Sequence, residues 1–347
     1  MRALVKTTYG VGNLEVIEVD RPKLMEDEVL VKVKAGAVCG SDINFYLDKL
    51  RTYNPPVILG HEVSGIVEEV GEKVRDVKIG DEVSIEANPY ACGDCYYCWS
   101  GKENLCLKRR GLGYEVNGGF AQYVKVPADM VVKKTPILSF EEAAMMDINV
   151  AVHAVLDRST IKPRDNVVII GPGFEGLCVL QIVNLFSPKY VSVVGLKRDE
   201  IRLKMAHSLG ANKVIFGDEE NISEIILKDT NMVGADVVFE CSGSVEGINQ
   251  AIEIVRRDGA ITSIGMSPRS VQGIYDAIDI FNVTAKQISL FGTRSYTRVN
   301  CEWSMKALTD GKITLKPLIG MVTSLENWLE AFKEQMSGKI VKAVLVP

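Results

Sequence analysis

An apolar stretch from Asn166 to Ile170 runs straight into Gly171-Pro172-Gly173-Phe174-Glu175-Gly176, and an apolar helical pattern follows from Leu177 to Phe186. A strand that turns through G-x-G-x-x-G into a helix admits few folds. Its glycines let backbone amides close on a pyrophosphate at the positive N-terminus of a helix. The same rhythm continues downstream. Strands at Tyr190 to Val194, Asp236 to Glu240 and Ala260 to Ile264 alternate with helices at Asp199 to Leu209, stopped by Gly210, and at Val245 to Arg257. That alternation predicts a parallel, doubly wound sheet. Gly171, Gly173, Phe174, Glu175 and Gly176 are the expected cofactor loop. Glu175 sets a negative charge close to a phosphate, so its side chain is expected to turn to solvent or to hydrogen-bond elsewhere.

The second strand bears on which nucleotide is bound. An NAD site places an acid near its end, about 20 residues past the glycines, on the ribose 2′-hydroxyl. Here the strand leaves through Val194-Gly195-Leu196-Lys197-Arg198, with no acid before Asp199. Gly195 gives room, and Lys197 and Arg198 give charge, for a 2′-phosphate. The expected cofactor is NADP, with NAD second. Asp199 is expected to cap the following helix.

Upstream of about residue 155 the pattern is different. Glu28 to Ala35 alternates as a half-buried strand does, as do Val63 to Val70 and Glu82 to Ala87, with glycines between them as turns. Inside this region stand Cys92, Cys95, Cys98 and Cys106, spaced C-x2-C-x2-C-x7-C. Four thiolates at that density make a closed, tetrahedral zinc site with no open position, which shapes a loop and does no chemistry. With 347 residues, two domains are expected. A net charge of −5 argues against a nucleic-acid partner. There is no run of 18 apolar residues and no apolar leader, so no membrane partner is expected. Eight cysteines without a leader point to a reducing, cytoplasmic setting.

A second metal set is spelled by Cys39-Gly40-Ser41-Asp42 and Gly60-His61-Glu62-Val63-Ser64-Gly65. Cysteine, histidine and carboxylate from separate segments leave a coordination position open, as catalytic zinc requires. The other histidines fall in predicted helices, His207 on the surface and His153 packed.

Taken together, these motifs and Gly118-Gly119-Phe120-Ala121-Gln122-Tyr123 resemble the zinc-dependent medium-chain alcohol dehydrogenases, in particular their polyol (sorbitol-like) and threonine dehydrogenase branch. The resemblance covers essentially the whole chain. It implies a GroES-like, distorted β-barrel catalytic domain built from residues 1–154 and 296–347, with a Rossmann domain at 155–295. The tail from Val341 to Val346 is expected to return as a strand to the first domain. The resemblance further implies a catalytic zinc on Cys39, His61 and Glu62, a proton relay through Ser41, and a structural zinc on Cys92, Cys95, Cys98 and Cys106. It also implies a homotetramer or homodimer, and the strand expected from Gln287 to Phe291 is a candidate to pair across a two-fold axis.

One position departs from the family pattern. A further ligand is expected at the entry to the second domain, where this chain has Met146 with Asp147 beside it. A thioether is a poor zinc ligand, and one residue along a helix is a turn of about 100°. Three outcomes stay open: Asp147 reaches the metal, water completes the shell, or the site is weak or empty. Asn44, Tyr46, Glu115 and Arg294 are the candidate substrate residues. They suit a polyhydroxylated substrate of a hydride-transferring oxidoreductase. Threonine or a small secondary alcohol is the alternative, and an NADP-binding protein without a catalytic zinc is the rival from another class.

Overall fold

The computed structural model describes residues 1–50, 53–86, 90–265 and 278–347. They form two compact units, residues 1–147 with 296–347 and residues 148–295. The change of sequence pattern near 155 thus places the boundary one helix late. Helix Ile148–Leu156 packs on helix Phe174–Asn184 and belongs to the second unit. Among the described residues no helix is long and apolar enough to cross a membrane.

The first unit is built on strand Glu28–Ala37, whose alternation becomes a real inward face. Val29, Val31 and Val33 pack with Val63, Val67, Val83, Ile85, Val124 and Val126 in one core. This strand pairs antiparallel with Glu62–Val70 on one side and with Lys342–Val346 on the other. The chain's last strand therefore returns to the first unit. Strands Glu82–Ile85, Val131–Lys133 and Ile319–Ser324 complete the path, and Tyr123–Pro127 pairs off it. Ala87, the expected end of the strand from Glu82, lies outside the described residues. A separate three-stranded sheet carries Leu14–Glu18, Arg2–Lys6 and Val57–Ile58.

Helix Phe140–Ala144 sets up the end of this unit. Ser139 caps it, accepting from the Glu142 N–H at 3.2 Å, while the Glu142 carboxylate accepts from the Ser139 N–H at 3.0 Å. The Ser64 and Ser84 hydroxyls donate to the Phe140 and Ala143 carbonyls at 2.5 and 2.7 Å. Those bonds pin the helix on the two strands and fix where residues 145–147 emerge.

The second unit holds one parallel six-stranded sheet. Its order is Lys213–Phe216, Tyr190–Gly195, Asn166–Ile170, Ala235–Glu240, Val255–Ser263, Ser289–Gly292. The order reverses beside Asn166–Ile170, which is where such sheets bind a ligand at the carboxyl ends of their strands. Three expectations shift. The helix after the glycine motif opens at Phe174, inside the motif, and ends at Asn184. Helix Val245–Ile254 stops before Arg257, because Val255 to Ser263 is already a strand buried against Ala235–Glu240. Asp199 holds the N-cap position of Glu200–Ser208 without capping it. Its carboxylate accepts from the Leu196 N–H at 3.2 Å and pairs with Arg202 at 3.3 Å.

Candidate active site and metal centres

The four-cysteine lobe closes on itself. Sulfur–sulfur distances are 3.5 Å for Cys95–Cys98, 3.5 Å for Cys92–Cys106 and 4.0 Å for Cys92–Cys98. A zinc tetrahedron with bonds of about 2.3 Å has edges of about 3.8 Å, so the spacing fits the ion. Backbone amides of Cys98 and Tyr97 hold the Cys95 thiol down to about 6, which favours the thiolate. The lobe has little core of its own, since helix Tyr96–Trp99 buries no residue. Tyr96, Trp99 and Leu107 are exposed.

The second cluster joins Cys39, His61, Glu62 and Asp147, whose ligand atoms all lie within 4.8 Å of one another. Cys39 is the N-cap of helix Gly40–Tyr46, at the end of strand Glu28–Ala37. The Asp42 carboxylate accepts its N–H at 2.9 Å and so fixes the turn. His61 and Glu62 open strand Glu62–Val70, where Glu62 sits opposite Ala37. The preceding Gly60 has φ +91°, and a Cβ there would lie 2.5 Å from the Phe120 ring. Only glycine allows that turn.

Asp147 enters from a break between helices. Helix Phe140–Ala144 ends at Met145 and the next begins at Ile148, so residues 145–147 are not helical. The helical rotation that separates Met146 from Asp147 in the sequence reading does not apply. Met146 is fully buried, and Asp147 Oδ2 stands 3.2 Å from His61 Nε2.

This cluster is strongly polarised. Burial pushes the Cys39 thiol up to about 11 and Glu62 up to about 8. Burial also acts to raise Asp147, but His61 and Lys342 hold it well below the carboxylate range. Burial lowers His61, yet Tyr114 and Asp147 raise it well above its ordinary value. His61 Nδ1 and Glu62 Oε2 are enclosed and hydrogen-bond to nothing among the described residues. A buried polar atom without a partner costs about 1–3 kcal/mol. One thiol, one imidazole and two carboxylates around a common point are a donor set that suits zinc.

Sequence reasoning missed two neighbours. Lys342, 2% exposed, donates to Glu62 Oε1 from the last strand. Its only sequence signal is a lone charge in the apolar run from Val341 to Val346. The Tyr114 ring lies 5.3 Å from the His61 ring and edge-on to Phe45 at 4.8 Å.

Two of the substrate candidates are engaged in other contacts. Tyr46 packs with Trp328 and Phe332 at 5.6 and 6.1 Å. Glu115 is exposed, and its carboxylate closes a turn by accepting the Gly111 N–H at 2.6 Å. Asn44 is half-buried on helix Gly40–Tyr46, and Arg294 is exposed in the second unit. His207 is exposed and His153 pairs with Asp157 at 2.8 Å.

In the second unit the three glycines divide their labour. Gly171 has φ +100°, and a Cβ on it would lie 2.9 Å from the Ser242 amide nitrogen. Gly176 lets the helix sit on the strand, since a Cβ would come 2.0 Å from the Gly171 carbonyl oxygen. Gly173 is the N-cap of helix Phe174–Asn184 and faces open space, with nothing within 4 Å of its would-be Cβ. That is the room a phosphate needs against first-turn amides. The buried Glu240 carboxylate orders the adjoining turn by accepting from Ser242 N–H at 2.7 Å and Gly243 N–H at 3.0 Å. Glu175 does not turn out to solvent. It is half-buried with Oε2 enclosed, and together with burial and Glu240 it pushes the Cys241 thiol well up. Beyond Gly195, Lys197 and Arg198 are exposed. The Lys197 ammonium sits 4.9 Å above the Phe216 ring and 3.4 Å from Glu219, and the Lys197 backbone N–H donates to the Asp218 carboxylate at 2.9 Å.

Comparison with known proteins follows these lines. Residues 25–136 match the family described as alcohol dehydrogenase GroES-like domain, and residues 176–310 match zinc-binding dehydrogenase. A sorbitol dehydrogenase of Halalkalibacterium halodurans is 34% identical, over 100% of this chain and 99% of the relative. A D-arabitol-phosphate dehydrogenase of Enterococcus avium is 32% identical, over 99% of this chain and 97% of the relative. A chain from Sinorhizobium meliloti solved with NADP bound has a TM-score of 0.89 at 28% identity, covering 100% of this chain and 99% of that one.

Proposed function

The chain belongs to the zinc-dependent medium-chain alcohol dehydrogenases, and on that premise we propose that it oxidises a secondary hydroxyl of a polyol or sugar-like substrate with NADP. The observation that carries the reading is the buried cluster of Cys39, His61, Glu62 and Asp147. These four residues would hold the catalytic zinc, and Cys92, Cys95, Cys98 and Cys106 a structural one. Zinc bound in the cluster supplies Lewis-acid polarisation of a hydroxyl. A nicotinamide cofactor held at Gly171, Gly173 and Gly176 would supply the hydride acceptor. Ser41, enclosed beside Cys39 and in reach of the Tyr114 hydroxyl, would carry the substrate proton away. Asp42 anchors the Cys39 turn, so the thiol keeps its place as charge develops.

Two supports favour NADP: no acid ends strand Tyr190–Gly195, and Lys197 and Arg198 follow it exposed. A 2′-phosphate has to draw the Lys197 ammonium from Glu219, a surface pair worth at most about 1 kcal/mol. Met146 favours the reading without a catalytic zinc, and Asp147 at 3.2 Å from His61 Nε2 speaks for the reading with one. We also propose a homo-oligomer built through Ser289–Gly292, an edge strand on which Leu290 is exposed.

The test is zinc content of protein purified without chelator, followed by oxidation of free and phosphorylated polyols with NADP and with NAD. Two zincs per chain and NADP-dependent oxidation support the proposal. One zinc, with no activity restored by added metal, overturns it.

A further inference from the structure

We infer that Lys342 is a positioning residue for the catalytic metal: from the last strand it fixes one oxygen of Glu62, leaves the other for the cation, and balances the charge of the centre. The inference rests on the zinc reading of the Cys39, His61, Glu62 and Asp147 cluster.

The geometry is specific. Strands Lys342–Val346 and Glu62–Val70 flank strand Glu28–Ala37, with Val344 and Glu62 both opposite Ala37. Lys342 lies two residues before Val344 on the same face. Its side chain reaches across the intervening strand to donate to Glu62 Oε1. The two side chains are 2% and 0% exposed. Glu62 Oε2 is enclosed and hydrogen-bonds to nothing among the described residues. The lysine therefore splits the carboxylate into one engaged and one available oxygen.

Charge gives the second reason. A Cys39 thiolate with the Glu62 and Asp147 carboxylates sums to three negative charges, and a zinc dication leaves one. Lys342 brings the sum over these groups to zero, with the buried Asp42 carboxylate 3.9 Å from His61 Nδ1 outside that count. An unbalanced charge at such depth is costly, and losing one partner of a buried pair destabilises more than the pair itself contributes. Partners beyond the ligands themselves orient metal-binding side chains, and losing one typically costs 10–100-fold in metal affinity. The four-cysteine lobe is a separate donor set, so it serves as an internal control.

The experiment is zinc occupancy against buffered free zinc for the parent, K342M and K342R, with folding followed by circular dichroism. The expected result is that K342M needs about 10–100-fold more free zinc to fill its second site, while the cysteine site fills unchanged. K342R, which keeps the charge, restores most of the affinity. If K342M does not fold, K342Q takes its place. The inference is overturned if K342M fills both sites at the parent's free zinc, or if K342R is as weak as K342M. A parent that holds only the cysteine-bound zinc overturns the underlying zinc reading, which is a different failure.

Discussion

Gly173 and Gly176 stand three residues apart in one motif, and the structure predicts opposite consequences for Gly→Ala at the two. In Gly176→Ala the new Cβ lies 2.0 Å from the Gly171 carbonyl oxygen. The obstacle is backbone, so helix Phe174–Asn184 must lift off strand Asn166–Ile170. Overpacking of this kind costs about 1–3 kcal/mol, and here the upper end applies. For a unit of this size that is a fall in Tm of about 6–12 °C. In Gly173→Ala nothing lies within 4 Å and φ is −71°. The loss of unfolded-state freedom stabilises by about 0.4–1 kcal/mol. Alanine is a poorer N-cap than glycine by about as much, so the cofactor-free protein keeps its Tm. The open space is where a phosphate would approach, so the added methyl should weaken NADP by about tenfold or more, on the order of 1.4 kcal/mol. Thermal melts without cofactor and fluorescence titration with NADPH give the two numbers. Equal Tm losses in the two variants, or undiminished NADPH binding by Gly173→Ala, would refute the division between packing and ligand space.

Asp147→Ala takes a carboxylate out of the four-donor cluster, so zinc should fall from two to one per chain, with an affinity loss beyond the 10–100-fold of an outer partner; metal analysis after dialysis reads it. Cys98→Ser should cost the lobe zinc but not the catalytic one. Helix Tyr96–Trp99 buries no residue, so proteolysis should then nick residues 92–107. Lys197 and Arg198 changed together to Ala should raise KM for NADP about tenfold and leave NAD little changed, which steady-state kinetics with both cofactors would show. Asp236 is held low because Asn166 and Arg256 outweigh the burial that acts to raise it. A depressed carboxylate contributes stability above its unfolded value, about 3.9, and loses it as pH falls through the folded value. Asp236→Asn should therefore lower Tm at neutral pH and flatten the acid side of a Tm–pH profile.

The legible parts were those written by local chemistry. Strand Asn166–Ile170 and the glycines after it were readable because period and turn residues act within a few positions. The cysteine lobe was readable because its four ligands lie in one short segment. Helix Val245–Ile254 was read too long, since nothing local marks Ile254 from Val255, and pairing with Ala235–Glu240 makes the difference. Tyr46 and Glu115 were plausible substrate contacts by polarity, but an aromatic cluster and a turn amide claim them.

By itself the sequence determined the parallel sheet, the nucleotide loop, the thiolate lobe and three of the four donors of the second cluster. Each follows from side-chain period or from ligand type, which the chain carries before it folds. Tertiary structure set Asp147, not Met146, beside His61, because the break at residues 145–147 depends on the Ser64 and Ser84 hydroxyls that hold helix Phe140–Ala144 in place. It also decided that Lys342, 280 residues from Glu62, donates to that carboxylate. A contact across that separation comes from sheet order, and no local pattern in a chain specifies which strands become neighbours.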